Sequence, residues 1–151
     1  MLAAHPLPAL LPLGLTVPLE RALAGFHRTD LVTDLQQGGP FTLLAPFDAA
    51  FDALPWSFEA LLESEELLEE RFELFEYCVI PALSEARGPL RSWPTLNGEE
   101  AIRVGQGAVI GAGGGARIVA SVRWRGALVH AIDSCVLPGS LLGYEERRLD
   151  A

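Results

Sequence analysis

FTLLAPFDAAFDALP, residues 41–55, decides how this chain is read. FTLLAP (41–46) is a short apolar run closed by a proline, which is the pattern of a buried strand. Pro46 lacks the N–H that would continue a ladder, so the strand is expected to stop there. AAFDAL follows and reads as one turn of helix. Asp48 stands where a carboxylate would cap that turn, and Ala50 and Phe51 stand where they would pack it onto the sheet. The expected core is Phe41, Leu43, Phe51, Val79, Ile132 and Val136.

Toward the N-terminus, residues 18–36 read as helix. Pro18 suits a first-turn position, where its missing N–H costs nothing. Leu19, Leu23 and Phe26 recur at helical spacing. Gly25 and His27-Arg28-Thr29-Asp30 suggest a break, with a second short helix carrying Leu31, Val32 and Leu35. Gly38-Gly39-Pro40 ends it. Residues 1–15 hold prolines 6, 8 and 12 among leucines and read as an irregular apolar arm. Leucines left in water would form an apolar patch that a soluble monomer rarely tolerates. The arm is therefore expected either to fold back over its own domain or to cross to a second copy as a homodimer.

Toward the C-terminus, residues 57–76 read as a helix capped by Ser57, with Leu61, Leu68, Phe72 and Phe75 as its apolar stripe. YCVIP (77–81) reads as a strand ended by Pro81, and 82–94 as a loop. Thr95-Leu96-Asn97-Gly98 carries a hairpin turn. AIRV (101–104), AVI (108–110), ARIVASVRW (116–124) and ALVHAIDSCVLP (127–138) read as strands. The order is helices, one strand, helices, then many strands. That is an α+β pattern and not an alternating βαβ one. One domain is expected over 16–140, between the arm (1–15) and a polar tail (141–151).

With 151 residues, the chain is long enough for a single core. Half the residues are hydrophobic and 21% charged, which excludes a disordered chain. The net charge is -9, and all 11 basic residues are arginine. An acidic chain without basic clusters argues against nucleic acid and against an anionic membrane surface. No stretch is an intact apolar span of about 20 residues, so no membrane insertion is expected. The apolar start lacks a basic region and is broken by proline, which makes it a poor signal peptide and leaves a cytoplasmic location open.

Motifs for chemistry are few. GQGAVIGAGGGA (105–116) has the glycines of a nucleotide loop but no following lysine or helix, so it reads as β-turns. The helix over 57–76 carries 8 of the 20 acidic residues, spread around it, and reads as a solvated face and not as a calcium loop. The three histidines and two cysteines have no metal-ligand spacing. His130 and Asp133, three apart in a strand, point to opposite faces and cannot pair directly, so His130 is expected to be buried and satisfied by backbone groups. No serine lies in a G-x-S-x-G elbow, and nothing near Cys78 in sequence would lower its pKa. The residues thus carry no enzyme signature, no catalytic set, no metal site and no cofactor. Cys78 and Cys135 are expected to be free, buried thiols, a disulfide being the alternative.

Two strings carry a resemblance to a known family. FTLLAPFDAAFDALP resembles the first signature of fasciclin domains, F-T-x-F-A-P-x-x-x-A-F-x-x-L-P. HAIDSCVLP (130–138) resembles the second, H-V-I-D-x-V-L-x-P. YCVIP resembles the family's Tyr-His strand and TLNG its T-L-x-G turn, in the family's order. The resemblance covers about residues 17–139. It implies an α+β sandwich or wedge with helices packed on one side. It also implies an adhesion or interaction module outside the cell or at its surface, with a protein or glycan partner. The alternative is a small-molecule-binding protein or an enzyme that has recruited the fold. Carried onto this sequence, the binding positions are Asp48, Tyr77, Cys78, His130 and Asp133. Cys78 stands where the family has histidine, a departure in the region tied to integrin binding in animal members. Phe47 replaces the threonine after Ala-Pro, Gly126-Ala127 replaces an Asn-Gly, and the Pro-rich arm replaces the opening helix.

Overall fold

FTLLAP forms strand β1 (Phe41–Pro46), buried throughout except for a half-exposed Phe41 at its open end. The computed structural model describes residues 19–31, 40–98, 100–124 and 127–142. The arm over 1–15, with both roles expected of it, lies outside the described residues. So do the continuation of the second short helix beyond Leu31 and the tail beyond Leu142.

Before β1 comes helix α1 (Glu20–Arg28). After it come a 3-10 turn (Asp48–Ala53), α2 (Phe58–Glu63), a second 3-10 turn (Glu65–Leu67) and α3 (Leu68–Glu76). Six strands complete the chain: β2 (Val79–Ile80), β3 (Arg91–Pro94), β4 (Ala101–Gly105), β5 (Ala108–Gly111), β6 (Gly114–Trp124) and β7 (Ala127–Ile132). A last 3-10 turn spans Gly139–Leu141.

The seven strands form one sheet in the order β2-β1-β7-β6-β5-β4-β3. β1 and β7 run parallel, from Phe41 opposite Ala127 to Pro46 opposite Ile132. Every other pair is antiparallel. The two edges approach each other where Leu96 N–H donates to the Val79 carbonyl at 2.9 Å. The sheet is therefore nearly closed, which leaves little unpaired edge. β7 is buried along its whole length, so it reads as a continuous apolar run and not as an alternation.

The helices form a layer whose interior is aromatic. Phe26 meets Phe75 edge-on at 5.4 Å between ring centroids, Phe51 meets Phe58 at 5.1 Å, and Phe51 stacks on Phe75 at 6.1 Å. Gly25 fits closely here, because a Cβ at that position would overlap Cζ of the Phe75 ring.

The expected helix over 57–76 is corrected by a break at Ser64. Ser57 caps α2, its Oγ accepting from Ala60 N–H at 3.1 Å. Ser64 then leaves helical geometry (ψ 129) and caps the next turn, accepting from Glu66 N–H at 3.2 Å. The helical phase restarts, so the stripe drawn across the break fails. Leu68 is 49% exposed and Phe72 half-buried, whereas Leu67, Arg71, Leu74 and Phe75 are buried. Arg71 holds the break together. Its Nε donates to the Leu61 carbonyl and its Nη2 to the Ser64 carbonyl, both at 2.7 Å, satisfying carbonyls a helix end leaves open. The glutamates of this segment are all exposed or half-exposed, as a solvated face requires.

Three strand boundaries also differ. β2 is only Val79–Ile80, since Tyr77 and Cys78 turn out of α3. Arg91–Pro94 is the edge strand β3, within the expected loop, and an edge accommodates Pro94. β7 ends at Ile132, well before Pro138. The glycine run forms two turns, Gln106-Gly107 between β4 and β5 and Ala112-Gly113 between β5 and β6. Of the expected core, Leu43, Phe51, Val79, Ile132 and Val136 are all buried.

Candidate functional site

The five positions suggested by the sequence do not converge on one site. Asp48 does not cap the turn that follows it. Its Oδ1 accepts from Arg21 N–H at 2.8 Å, a first-turn donor of α1, so it caps a helix from another part of the chain. Arg21 answers by donating to the Asp48 carbonyl and to Asp52, both at 2.9 Å. Tyr77 is wholly buried; its hydroxyl donates to the Ala101 carbonyl and accepts from Ala112 N–H, both at 3.2 Å. Burial raises the Tyr77 pKa, opposed in part by the Ala112 N–H. Cys78 is buried and its thiol is pushed up to about 12 by desolvation. Cys135 is half-buried, and burial first and Cys78 second raise its pKa. Both thiols are free.

Asp133 lies just past β7 and binds β6. Its Oδ1 accepts from Arg117 N–H at 2.8 Å and its Oδ2 from Arg117 Nε at 3.2 Å. These contacts, led by the backbone N–H, lower its pKa. Asp133 and His130 bond to different partners, although Asp133 lies past the end of β7 and is not the strand residue the sequence suggested. Among the described residues, no three metal-ligating side chains come together. Nor is any described helix long and apolar enough to cross a membrane.

Two of the five border cavities: Asp133 lines an open one of about 310 Å³ beside β5 and β6, and His130 lines another. The His130 cavity has a volume of about 670 Å³ and lies between Glu85-Ala86-Arg87, the Gln106-Gly107 turn and residues 118–121 of β6. The imidazole forms the inner wall and is fully buried. Its Nε2 lies 2.7 Å from the Ser84 carbonyl, which can only accept, so Nε2 carries the proton. Nδ1 is then an acceptor, and the Ser121 hydroxyl donates to it at 2.8 Å. The result is a directed chain from Ser121 O–H through the imidazole to the Ser84 carbonyl. Desolvation lowers the His130 pKa despite the Ser84 carbonyl, which keeps the ring neutral. Loop 82–84 is pinned from both sides, because Ser84 N–H also donates to Thr42 Oγ1 at 2.8 Å and Thr42 donates to the Ala82 carbonyl at 2.7 Å.

β6 bulges beside this cavity. Ile118 faces Ile132, but Ala120 faces Ala131, so Val119 is an extra residue and is 50% exposed. Arg87 also lines the cavity and is exposed, with no ion pair among the described residues. Glu85 is engaged with Arg123 at 3.2 Å. A smaller cavity of about 230 Å³ adjoins, lined in part by Leu83, Arg87, Arg91 and Trp93.

Comparison with known families gives one match, to the fasciclin domain, over residues 19–138. The chain belongs to the fasciclin domain family. A similar solved structure is a FAS1 domain pair from the insect cell adhesion molecule Fasciclin I, with a TM-score of 0.53 and 18% identity. The match covers 76% of this chain and 45% of that one, so the chain spans less than half the length of that structure. At this identity the likeness establishes the fold. No curated protein matches the chain.

In this fasciclin domain the signature residues are mostly ties between elements. The residues that open toward solvent are ones sequence reasoning passed over: Ser121, Arg87 and Val119. Ser121 had a usable signal. With β6 ending at Trp124 and β7 starting at Ala127, counting back along the hairpin sets Ser121 opposite His130. Val119 had none, because a bulge is not marked by its residue type here.

Proposed function

We propose that this fasciclin domain is an interaction module of the adhesion type, acting outside the cell or at its surface. Its partner is a protein segment that places an apolar side chain beside a carboxylate. The groove between residues 85–87 and β6 is the docking surface. One observation carries this reading: a groove of about 670 Å³ lined by exposed Val119 and by Arg87, which has no ion pair among the described residues. On a chain of net charge -9, an exposed arginine without a carboxylate partner among the described residues favours an acidic contact. The description of the similar structure as a cell adhesion molecule supports the same class of role. The signature positions are ill suited to binding, since Tyr77, Cys78 and His130 are buried and Asp48 and Asp133 are occupied.

The test is attachment of source-organism cells to surfaces coated with the protein. A Val119→Asp, Arg87→Glu double variant should lose attachment several-fold with unchanged melting. Leu68→Asp, an exposed site on α3 away from the groove, should behave as wild type. Wild-type attachment by the double variant would refute this docking surface.

A further inference from the structure

Three groups at the groove stand in the relation of a nucleophile, its base and the group that orients the base. Ser121 is exposed, His130 behind it is fully buried, and the Ser84 carbonyl holds the far side of the ring. The hydroxyl-to-imidazole distance of 2.8 Å is within the reach general-base activation requires. The orienting bond of 2.7 Å fixes the tautomer that leaves Nδ1 free to take a proton. The base is fixed by more than this contact, since Ser84 is itself anchored to β1 through Thr42. The unpaired residue Val119, two positions before Ser121, bends the strand at the cavity, a placement bulges often have beside reactive groups.

We propose that Ser121 is a nucleophile that accepts acyl groups from small carboxylic esters entering the groove. This goes beyond the interaction reading and does not depend on it. Ser121 Oγ attacks the ester carbonyl carbon while its proton passes to His130 Nδ1. A carbon–oxygen bond forms, and the carbonyl electron pair moves to the oxygen. The imidazolium keeps its Nε2 proton on the Ser84 carbonyl. Collapse of the tetrahedral species expels the alcohol oxygen, which takes the proton from Nδ1. Water then attacks the acyl-serine, giving its proton to Nδ1. Ser121 leaves with that proton, so one ester and one water become one acid and one alcohol. Arg87, which lines the same groove without an ion pair among the described residues, supplies the positive charge for the oxyanion. Ile118, Val119 and Ala120 line the groove and favour a short apolar acyl chain. The volume suits a small molecule.

A serine that merely satisfies a buried histidine predicts no reactivity, and the two roles are separated by a fluorophosphonate probe. The probe forms an oxygen–phosphorus bond to an activated serine and releases fluoride. Intact-mass measurement of the folded wild-type protein should show one adduct per chain, and peptide mapping should place it on Ser121. Ser121→Ala should carry none while still unfolding in one cooperative transition. Ser140→Ala, which removes another exposed serine, should label fully. His130→Gln should label at least roughly 100-fold more slowly. Because that variant removes a buried residue, Arg87→Ala provides a second measure at the surface. It should slow p-nitrophenyl acetate hydrolysis by at least about tenfold. Absence of an adduct on the folded wild type, an adduct elsewhere, or an adduct that persists in Ser121→Ala would overturn the proposal.

Discussion

Replacing Phe51 by alanine tests the packing of the signature turn against the sheet. Phe51 is 1% exposed and sits between two other rings, Phe58 at 5.1 Å and Phe75 at 6.1 Å. Burying a side chain of this size contributes about 1.5–3 kcal/mol. Each ring pair adds about 0.5–1.5 kcal/mol beyond the buried area. The expected loss is therefore roughly 3–5 kcal/mol, within the usual span for phenylalanine truncation in a core. The informative companion is Leu68→Ala. The sequence stripe makes Leu68 a core residue, but the fold leaves it 49% exposed. Leucine and alanine have similar helix propensity, so this change should cost less than about 1 kcal/mol. Both are read as shifts in the denaturant midpoint at constant slope. A Phe51→Ala loss below 1 kcal/mol, or a Leu68→Ala loss that equals it, would refute the packing and the helix break together.

Gly25→Ala should destabilise the domain by about 1–3 kcal/mol through overpacking against Phe75, although the same change in an open helix stabilises by about 1 kcal/mol. A raised melting temperature would contradict the ring placement. The His130 ring should titrate below its ordinary 6.5, seen as an NMR midpoint of its carbon-bound protons. Its folded-state pKa is lower than the unfolded one, so its contribution to stability is complete above about pH 6.5 and declines as pH falls toward the folded value. A midpoint at or above 6.5 would mean that the ring is not buried as described.

How far the sequence carries depends on whether the signal is local. β1 and β7 were legible because each is an unbroken apolar run, and such runs belong to strands covered on both faces. Their parallel pairing was not, since it joins segments at opposite ends of the domain and leaves no local trace. The helix over 57–76 was overread because steps of seven, four and three match a periodicity even across Ser64. The correcting signal was present: a serine followed by two glutamates is a cap and first turn. β3 was missed because four mostly exposed residues, Arg91–Pro94, have no periodicity to read.

The site follows the same logic at the level of single side chains. Asp48 ties β1's end to α1, Tyr77 ties α3's end to β4 and the turn after β5, Asp133 ties β7 to β6, and His130 ties β7 to the loop after β2. Except for Asp133, which ties neighbouring strands of one hairpin, each bond joins elements far apart in sequence, where apolar burial sets proximity but not register. The buried and half-buried contacts of Asp48, Tyr77 and His130 supply that register, because a slip would strand a donor or acceptor away from water. The signature residues therefore identify the fold by what they hold together. Activity has to reside where this scaffold meets solvent. At His130 the two coincide: its inner nitrogen is committed to the frame, and its outer nitrogen faces an exposed hydroxyl. The scaffold bond to Ser84 is what leaves Nδ1 as an acceptor. A frame built only for register has thereby oriented a base toward a groove, and reactivity at Ser121 needs no element that the fold does not already require.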